Sequence, residues 1–550
     1  MLAGAFMHES ERPDAIFLTQ PIGGGQVRDY TWREAMDEAR RMAAHLRSLN
    51  LPPKSQIALI GKNSAHWILT DLAIFMAGHV TVPLYPTLAA ETVRYILEHS
   101  ESKLLFVGKL DTWDDMKSGV PADLPRIYLP LAPKNEGPTW EEIIAKTEPL
   151  GGKPDRDPKD LATIMYTSGT TGQPKGVMHS FETMTVSAQG IAEILKLNAD
   201  DRVLSYLPLS HAFERFAIET PALLYGGRIF FAESLDTFAD DLRRAKPTLF
   251  ISVPRLWVKF QQGVHAKMPP KKLDLFLKIP ILSSIVKKKV LTTLGLDSVR
   301  FAGSGSAPIP GEVIAWYRRL GLELLEGYGM SENFSFSHVN MPGRSRIGYV
   351  GEPYPNVSCR ISPEGEVLVK SPGTMLGYFK APEATKEAFT EDGFLKTGDR
   401  GEIDELGRLK ITGRVKELFK TSKGKYVAPS PIENKLIASG IVEQSCVTGP
   451  SQPQPHALVV LSEDLRKELS TGAVSPADVT TKLSALRDEV NATLDPHEHL
   501  EFIAVVKEPW VIENGFLTPT MKVKRGTVEQ AYGPLSEDWY AARKKVIWQE

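Results

Sequence analysis

A loop rich in hydroxyl groups and glycines, which ends in a lysine, is the first candidate for chemistry in this sequence. It runs from Tyr166 to Gly176 and reads YTSGTTGQPKG. Because its small side chains leave the backbone bare, its amide N–H groups can surround a triphosphate. A plain loop is the alternative for this run alone, and no Ser or Thr follows Gly-Lys as in a Walker A loop. The candidate phosphate-binding residues are Thr167, Ser168, Gly169, Thr170, Thr171, Gly172 and Lys175.

Two further runs could hold the base of a nucleotide and a cation. In 301–308 a strand leads into a turn of small residues, Gly303, Ser304 and Gly305, where a flat ring can approach the backbone. In 326–332 an aromatic face, a hydroxyl and a carboxylate lie within five residues. There Tyr328 can stack on a base, Ser331 can donate to a phosphate and Glu332 can hold Mg²⁺. A core tyrosine beside a solvated acid is the alternative for this run, whose other members are Glu326, Gly327 and Gly329.

Charged residues in the last third of the chain could serve a sugar and an anion. Asp399 follows a glycine turn and is suited to accept both hydroxyls of a ribose, which Arg414 could share. A lysine-dense segment follows from Lys416 to Lys425. Lys522 stands beyond a proline-containing loop, and a solvated charge is its alternative interpretation.

The elements that must position these residues are those of an α/β protein. Thr31 to Glu34 forms a capping-box pattern before a run of helical periodicity, and 56–60 reads as a buried strand before a helix at 64–77. Residues 110–160 look like a surface excursion, and 347–412 predict a small antiparallel or barrel-like subdomain. We therefore predict layered, mostly parallel sheets with helices and a small β subdomain in domain 1–414, and a smaller, mobile α+β domain in 415–550.

Composition narrows the class of protein further. At 550 residues the chain is too long for a single core, and its formal net charge of −2 gives no field that would favour nucleic acid. The two cysteines, Cys359 and Cys446, form no disulfide framework, which suits a reducing cytosol. No run reaches the roughly 18 apolar residues of a membrane span. We expect a cytoplasmic protein that is at most peripheral to a membrane, as a monomer or homodimer.

Taken together and in this order, these runs resemble the adenylate-forming superfamily of acyl-CoA synthetases, adenylation domains and firefly-type luciferases. The resemblance extends from about residue 30 to about residue 530. The segments 207–215, 413–429 and 517–522 look most like the long-chain fatty acyl-CoA synthetase branch. The resemblance implies ATP, Mg²⁺ and coenzyme A, and the ATP-dependent conversion of a medium- or long-chain fatty acid, through an acyl adenylate, to an acyl-CoA.

The resemblance also implies a role for each site residue. A C-terminal lid would swing about Lys416 and bring Lys522 to the carboxylate and the α-phosphate. In a second orientation it would present 416–426, with Lys423 and Gly424, to CoA. His211 would lie near the acyl carbon as a positioning or gating residue, although a core histidine is its alternative. Mg²⁺ would bind Glu332 and Thr167, and the catalytic group would be Lys522, His211, Glu332 and Ser331.

Two departures from the family pattern affect this assignment. Position 331 is Ser where the family usually has Thr, a change that keeps the hydroxyl donor. The terminal lysine lacks the Ser-Gly-Lys context of many relatives, so Lys524 stays a second candidate for the role of Lys522.

Several questions stay open at the level of sequence. The acid could instead be short, branched or aromatic, the acceptor could be a carrier protein, and a non-catalytic nucleotide-binding protein is disfavoured. The lysine-rich, apolar stretch 271–300 could rest on an anionic membrane, with a solvated basic face as the alternative. His497 and His499 resemble a metal pair without a third ligand. An acyl tunnel would be lined from among Phe213, Phe216, Leu223, Leu224 and the stretch from Phe250 to Trp257, for which ordinary core positions are the alternative.

Overall fold

The computed structural model describes residues 1–167, 173–518 and 521–549. Up to the glycine-rich loop, helices and strands alternate. They are α1 (Leu2–Glu11), β1 (Ile16–Gly23), β2 (Gln26–Thr31), α2 (Trp32–Ser48), β3 (Gln56–Ile60), α3 (Ala65–Ala77), β4 (Val80–Leu84), α4 (Ala90–His99), β5 (Leu104–Val107), α5 (Trp113–Met116), β6 (Arg126–Tyr128), α6 (Trp140–Ile144) and β7 (Leu161–Thr167).

After the loop the same alternation continues as far as residue 339. The elements are β8 (Lys175–Ser180), α7 (Phe181–Leu195), β9 (Arg202–Ser205), α8 (Ala212–Glu214), a π-helical turn (Arg215–Glu219), α9 (Thr220–Tyr225), β10 (Arg228–Phe231), α10 (Phe238–Ala245), β11 (Leu249–Ser252), α11 (Pro254–Lys267), α12 (Pro270–Leu277), α13 (Pro280–Leu294), β12 (Phe301–Ser304), α14 (Gly311–Arg319), β13 (Leu324–Tyr328), a 3-10 turn (Ser331–Asn333) and β14 (His338–Val339).

The remaining elements are shorter. They are β15 (Glu352–Pro353), β16 (Ser358–Ile361), β17 (Glu366–Lys370), β18 (Gly377–Tyr378), α15 (Pro382–Glu387), β19 (Leu395–Ile403), β20 (Leu409–Arg414), a 3-10 turn (Val415–Glu417), β21 (Phe419–Lys420), β22 (Tyr426–Val427), α16 (Pro429–Ala438), β23 (Val442–Thr448), β24 (His456–Leu461), α17 (Glu463–Thr471), α18 (Pro476–Asn491), β25 (Ile503–Val505), α19 (Arg525–Tyr532), α20 (Ser536–Ala541) and β26 (Val546–Trp548).

Three sheets with mostly parallel strands form the large N-terminal part. Their strand orders are β18-β8-β7-β4-β3-β5-β6, β2-β1-β10-β9 and β11-β12-β13-β14-β15. A four-stranded antiparallel sheet, β16-β17-β19-β20, makes the small β subdomain, and β23-β24-β25-β26 is the sheet of the C-terminal part. The predicted fold class is therefore confirmed.

Local sequence signals account for several of these elements. The Thr31 side chain caps α2 and Glu34 bonds back to it, as the capping-box pattern predicts. Helix α12 ends at Leu277 and α13 begins at Pro280, which breaks any single helix across 271–300. Within the described residues, no helix combines the length and the apolar character that crossing a membrane requires.

The interpretation of 110–160 as a surface excursion is wrong in part. Strand β6 extends the seven-stranded sheet beside β5. Trp140 of α6 is fully buried, packs against His66 and donates from its indole N–H to Glu38 Oε2 at 3.0 Å. The proline- and charge-rich composition of the stretch conceals these few apolar anchors.

Candidate active site

Two neighbouring parallel strands bring the predicted base-binding runs together. Strands β12 and β13 pair in parallel with Ser304 opposite Glu326, so 303–305 and 326–329 lie at the same edge of the sheet. Gly305 must lack a side chain, because an added Cβ would lie 2.9 Å from the ring of Phe213. Such an edge, with bare backbone beside an aromatic ring, is where α/β proteins bind nucleotides.

The tyrosine, the acid and the arginine predicted for a nucleoside form one hydrogen-bonded set. The Tyr328 hydroxyl donates to Asp399 Oδ2 at 2.6 Å, and Arg414 Nε lies 3.0 Å from Asp399 Oδ1. Burial raises the pKa of Asp399, and the Arg414 charge acts against that rise. Asp399 and Arg414 face each other across β19 and β20. The set can therefore offer a fixed carboxylate to a diol.

The phosphate loop is held by an antiparallel strand pair. Strands β7 and β8 enter and leave it with Thr167 paired to Lys175, so both side chains stand at its base. The Lys175 ammonium lies 5.0 Å from the ring centroid of Tyr378. Five residues predicted for this loop lie outside the described residues, namely Ser168, Gly169, Thr170, Thr171 and Gly172.

A 3-10 turn presents Ser331 and Glu332 beside the phosphate loop. His179 Nε2 donates to the Ser331 carbonyl at 2.7 Å, and the Met375 N–H donates to the Glu332 carbonyl at 2.7 Å. The Tyr378 hydroxyl donates to Glu332 Oε1 at 2.8 Å. Sequence reasoning missed Tyr378, because its contact depends on the pairing of β18 with β8, some 200 residues earlier.

The close approach of two backbone segments explains Gly329. An added Cβ at Gly329 would lie 2.5 Å from the Ser335 carbonyl carbon.

Glu326, on β13, is buried, and burial raises its pKa to about 8. Its carbonyl accepts the Asn340 N–H at 2.8 Å, and a hydrogen bond from the Ile309 backbone to its carboxyl acts against the rise in pKa.

His211 is a neutral imidazole of defined tautomer. Its Nδ1 accepts the Phe213 N–H at 3.0 Å, which caps α8 and leaves the proton on Nε2. Burial, followed by the charge of Lys522, lowers the pKa of His211 to about 3. The ring can therefore donate a hydrogen bond from Nε2 to an anion but is a poor general base.

Lys522 reaches this cleft from the C-terminal part of the chain. Its backbone is fixed by the Thr518 N–H, which donates to Lys522 O at 2.8 Å, and by its own N–H, which donates to Thr518 Oγ1 at 3.0 Å. Desolvation by the surrounding protein atoms, followed by the Arg414 charge, lowers the pKa of Lys522, while Asp399 and Glu332 act to raise it. Part of the Lys522 residue nevertheless remains exposed to solvent.

The two candidate lysines differ in their surroundings. The charge of Lys522 acts on both Asp399 and His211. Lys524 directly precedes α19, makes no side-chain capping bond, and donates from its backbone N–H to the Phe516 carbonyl. Lys522 therefore lies on the side of the cleft that contains Asp399 and His211.

The residues that the resemblance assigns to the hinge and to CoA are exposed. Lys416 is exposed in the 3-10 turn directly after β20. Lys423 and Gly424 are exposed at the turn between β21 and β22, where Gly424 has a φ of 73°. That hairpin packs on its own domain, since the Ser422 N–H donates to the Gln452 carbonyl at 2.9 Å.

The apolar residues proposed for an acyl tunnel do not form one group. Phe213 lies against Gly305, and Phe216 packs in a ring cluster with Phe334, Phe336 and Tyr354. Trp257 is buried with Phe250 in a second core and donates to the Gly303 carbonyl at 3.1 Å.

Leu223 and Leu224, also named for the tunnel, lie under α1. His8 Nε2 bonds to the Leu224 carbonyl at 3.2 Å, and an added Cβ at Gly4 would lie 2.5 Å from the Leu223 carbonyl oxygen. Leu223 belongs to the same buried cluster as Phe216, against which Phe213 packs.

The donor set suits a magnesium ion that is shared with substrate phosphates. The residues with described positions contain no group of three His, Cys, Asp or Glu that could hold a metal on its own. Mg²⁺ commonly binds one or two carboxylates together with phosphate oxygens and water. Glu332 and the Thr167 hydroxyl fit that pattern, since Tyr378 bonds to Glu332 and lies beside Lys175, which pairs with Thr167. His499 does not contribute, because its Nε2 bonds to the Leu494 carbonyl at 3.2 Å.

Curated relatives match nearly the whole chain. Long-chain-fatty-acid--CoA ligase FadD15 of Mycobacterium bovis is 31% identical over 96% of this chain and 95% of its own length. Long-chain-fatty-acid--CoA ligase 1 of Homo sapiens is 31% identical over 90% of this chain and 79% of its own.

Solved structures share the fold. The adenylation domain of a carboxylate reductase from Mycobacterium chelonae has a TM-score of 0.80 at 23% identity, covering 98% of this chain and 90% of that one. Anthranilate CoA ligase AuaEII, in complex with anthranoyl-AMP, has a TM-score of 0.77 at 21% identity, covering 97% of this chain and 98% of that one.

Sequence profiles agree with the order of the site residues along the chain. The AMP-binding enzyme profile matches residues 6–379, and the profile of the AMP-binding enzyme C-terminal domain matches residues 417–544. The first match covers more than half of the chain and includes the phosphate loop, both base-binding runs and Glu332. The protein therefore belongs to the AMP-binding enzyme family.

Proposed function

We propose that the protein activates a medium- or long-chain fatty acid with ATP and passes the acyl group to coenzyme A. The observation that carries this proposal is the meeting of two sets of residues in one cleft. Tyr328, Asp399 and Arg414 form the nucleoside set, and Lys522 and His211 stand where a second anion would approach it. The curated names of the relatives at about 30% identity support the choice of acid.

The first step would form an acyl adenylate. A carboxylate oxygen attacks the α-phosphorus of ATP, the bond from that phosphorus to the bridging oxygen breaks, and pyrophosphate leaves. Two anions must meet in this step, and a fixed cation between them lowers the barrier. Lys522 supplies that cation, while Lys175 and the hydroxyls of the phosphate loop hold the departing pyrophosphate. Mg²⁺, held by Glu332 and Thr167, would neutralise charge on the phosphates.

The nucleoside set would fix the adenosine during this step. Asp399 accepts from the ribose hydroxyls, Arg414 keeps the carboxylate ionised, and Tyr328 offers a ring beside the bare backbone of 303–305. His211 donates from Nε2 to the carboxylate or to the new adenylate carbonyl. Ser331 offers a hydroxyl to the phosphates.

The second step would transfer the acyl group to the thiol of CoA. The thiol sulfur attacks the acyl carbonyl carbon, its proton is lost, and the carbon–oxygen bond to AMP breaks. We assign the domains as 1–414 and 415–550, with a hinge at Lys416. Rotation about it would withdraw Lys522 and present 416–426, with Lys423 and Gly424, to CoA.

Peripheral contact with an anionic membrane forms a further part of the proposal. At the corner between α12 and α13, Leu275 is 58% exposed, Ile279 47%, Ile281 79% and Ile285 59%. Residues 254–296 carry eight lysines and one arginine against a single acid, Asp274, although the whole chain has a net charge of −2. Exposed apolar side chains in a lysine-rich stretch match the core and the charge of an anionic bilayer, where fatty acids partition.

Vesicle flotation tests this membrane contact. We expect the protein to float with vesicles that contain phosphatidylserine and to remain behind with neutral vesicles. Ile281→Ser/Ile285→Ser and Lys288→Glu/Lys289→Glu should each abolish flotation. Lys467→Glu/Lys482→Glu, on exposed lysines of the C-terminal part, serves as the control. Flotation that is the same for all of these variants would refute the docking surface.

An acid panel tests the central activity. Pyrophosphate release is measured with ATP, Mg²⁺ and acids of increasing chain length, each with and without CoA. We expect turnover with acids of about ten or more carbons only when CoA is present. Turnover confined to short or aromatic acids would select a different CoA ligase, and release of adenylate without use of CoA would select a ligase for a carrier protein.

A further inference from the structure

We propose that Tyr378 is a positioning residue that couples the cation site to the phosphate loop. The proposal rests on the function given above, because it assumes that Glu332 and Lys175 serve a bound triphosphate. The Tyr378 hydroxyl donates to Glu332 Oε1 at 2.8 Å. The face of the same ring lies 5.0 Å from the Lys175 ammonium. One side chain therefore touches both charged groups, which lie 157 positions apart in the sequence.

Backbone pairing fixes Tyr378 in this place. Strand β18 joins the edge of the seven-stranded sheet, where Tyr378 pairs with Val177 and Gly377 with Met178. The Phe379 N–H donates to the Gly176 carbonyl at 2.7 Å, and the Tyr378 N–H donates to Thr385 Oγ1 at 2.8 Å. The ring thus follows any movement of the strand that leaves the phosphate loop.

A second tie binds the same short segment to the cation site. The Met375 N–H donates to the Glu332 carbonyl at 2.7 Å. Glu332 is therefore held through its backbone and through one carboxylate oxygen by a segment of five residues, 375–379. Because Oε1 accepts the hydrogen bond from Tyr378, the orientation of the carboxylate is fixed, and with it the direction from which Oε2 can bind a cation. Orientation of a ligand by an outer hydrogen bond is a general means of tuning metal sites.

The contact with Lys175 has a separate effect. An ammonium over an aromatic face is attracted to the ring electrons, and the ring offers no competing charge. Lys175 is otherwise exposed at the start of β8. The ring would keep this long side chain beside the loop before ATP arrives, so less conformational freedom is lost on binding. Loss of the hydroxyl and loss of the ring should therefore have different consequences.

Calorimetric titration of ATP, with and without Mg²⁺, separates these two effects without depending on the acid. Tyr378→Phe keeps the ring, so ATP binding in the absence of Mg²⁺ should match the wild type. The tightening of ATP binding by Mg²⁺ should fall about fivefold to tenfold. Tyr378→Leu should in addition weaken Mg²⁺-free binding about threefold. Tyr540→Phe, which removes a hydroxyl that donates to the Gln454 carbonyl, is the control for loss of a buried tyrosine hydroxyl.

A double-mutant cycle tests whether the hydroxyl acts through Glu332. In a Glu332→Gln background, Tyr378→Phe should cause no further loss of the Mg²⁺ effect. An unchanged Mg²⁺ effect in Tyr378→Phe, or full additivity in the cycle, would overturn the proposal. These titrations measure only the binding of ATP and Mg²⁺ and need no fatty acid. A failed acid panel would therefore refute the proposed function without changing the outcome of the titrations.

Discussion

Replacement of Lys522 by alanine should separate the two half-reactions. Lys522 is placed by a short hairpin of the C-terminal part, and its charge acts on Asp399 and on His211. In the proposed mechanism it supplies the cation of the adenylation step. That mechanism uses a second orientation of the C-terminal part for the thioester step, so the side chain should contribute little to it.

The size of the effect follows from the charges around the lysine. Two unit charges about 4 Å apart interact by roughly 4 kcal/mol at an effective dielectric constant of about 20. Removal of one preorganised donor to a developing charge commonly costs about 3 kcal/mol, or roughly a hundredfold in rate. Part of the Lys522 residue is exposed to solvent, so we expect the lower end, a loss of about a hundredfold.

The assay compares two rates in the same preparation. ATP–pyrophosphate exchange with a fatty acid reports adenylate formation, and CoA consumption from supplied acyl adenylate reports the second step. Exchange should fall about a hundredfold in Lys522→Ala while the second rate changes less than threefold. Lys524→Ala, two positions away, is the matched control and should leave both rates unchanged. Normal exchange in Lys522→Ala, or an equal loss in both steps, would refute the assignment.

Three other predictions concern pH and the orientation of the lid. Burial raises the pKa of Glu326 to about 8, so the folded state favours the neutral carboxyl and the wild type loses stability as pH rises from about 4.5 to 8. Between pH 5.5 and 8 the free energy of unfolding of Glu326→Gln, measured by urea denaturation, should therefore rise by about 3 kcal/mol relative to the wild type. Parallel pH dependences of the two proteins would contradict this. Because the pKa of His211 is about 3, protonation of its ring should cause no inflection near pH 6.5 in the pH profile of adenylation. Any inflection found near that pH should therefore persist in His211→Ala. Arg255 of α11 forms an ion pair with Glu443 of β23, so we expect this pair to hold the C-terminal part in the orientation for adenylation. Arg255→Ala should therefore slow adenylation more than the thioester step, and Lys259→Ala is the control. An equal change in both steps would contradict this role.

The elements with strong local signals were predictable from the sequence. The capping box at Thr31 fixes the start of α2, and Pro280 separates α12 from α13. The strand end predicted in 301–308 is observed as β12, which ends at Ser304. These features depend on residues that are close in sequence.

Other features depend on contacts that no local pattern encodes. Tyr378 meets Glu332 only because β18 pairs with β8 at the sheet edge. The tautomer of His211 is set by one backbone N–H, and the burial of Trp140 is hidden in a proline-rich stretch. Leu223 and Leu224 lie under α1 because α9 packs against it. Long-range packing decided each of these outcomes.

The central claim is that a carboxylic acid and ATP react in this cleft and that CoA accepts the product. The most direct measurement is pyrophosphate release by the purified protein with palmitate, ATP and Mg²⁺, with and without CoA, together with identification of the acyl product. We expect stoichiometric pyrophosphate, AMP and palmitoyl-CoA when CoA is present. Release of ADP and phosphate, or pyrophosphate release that does not depend on the acid, would contradict it.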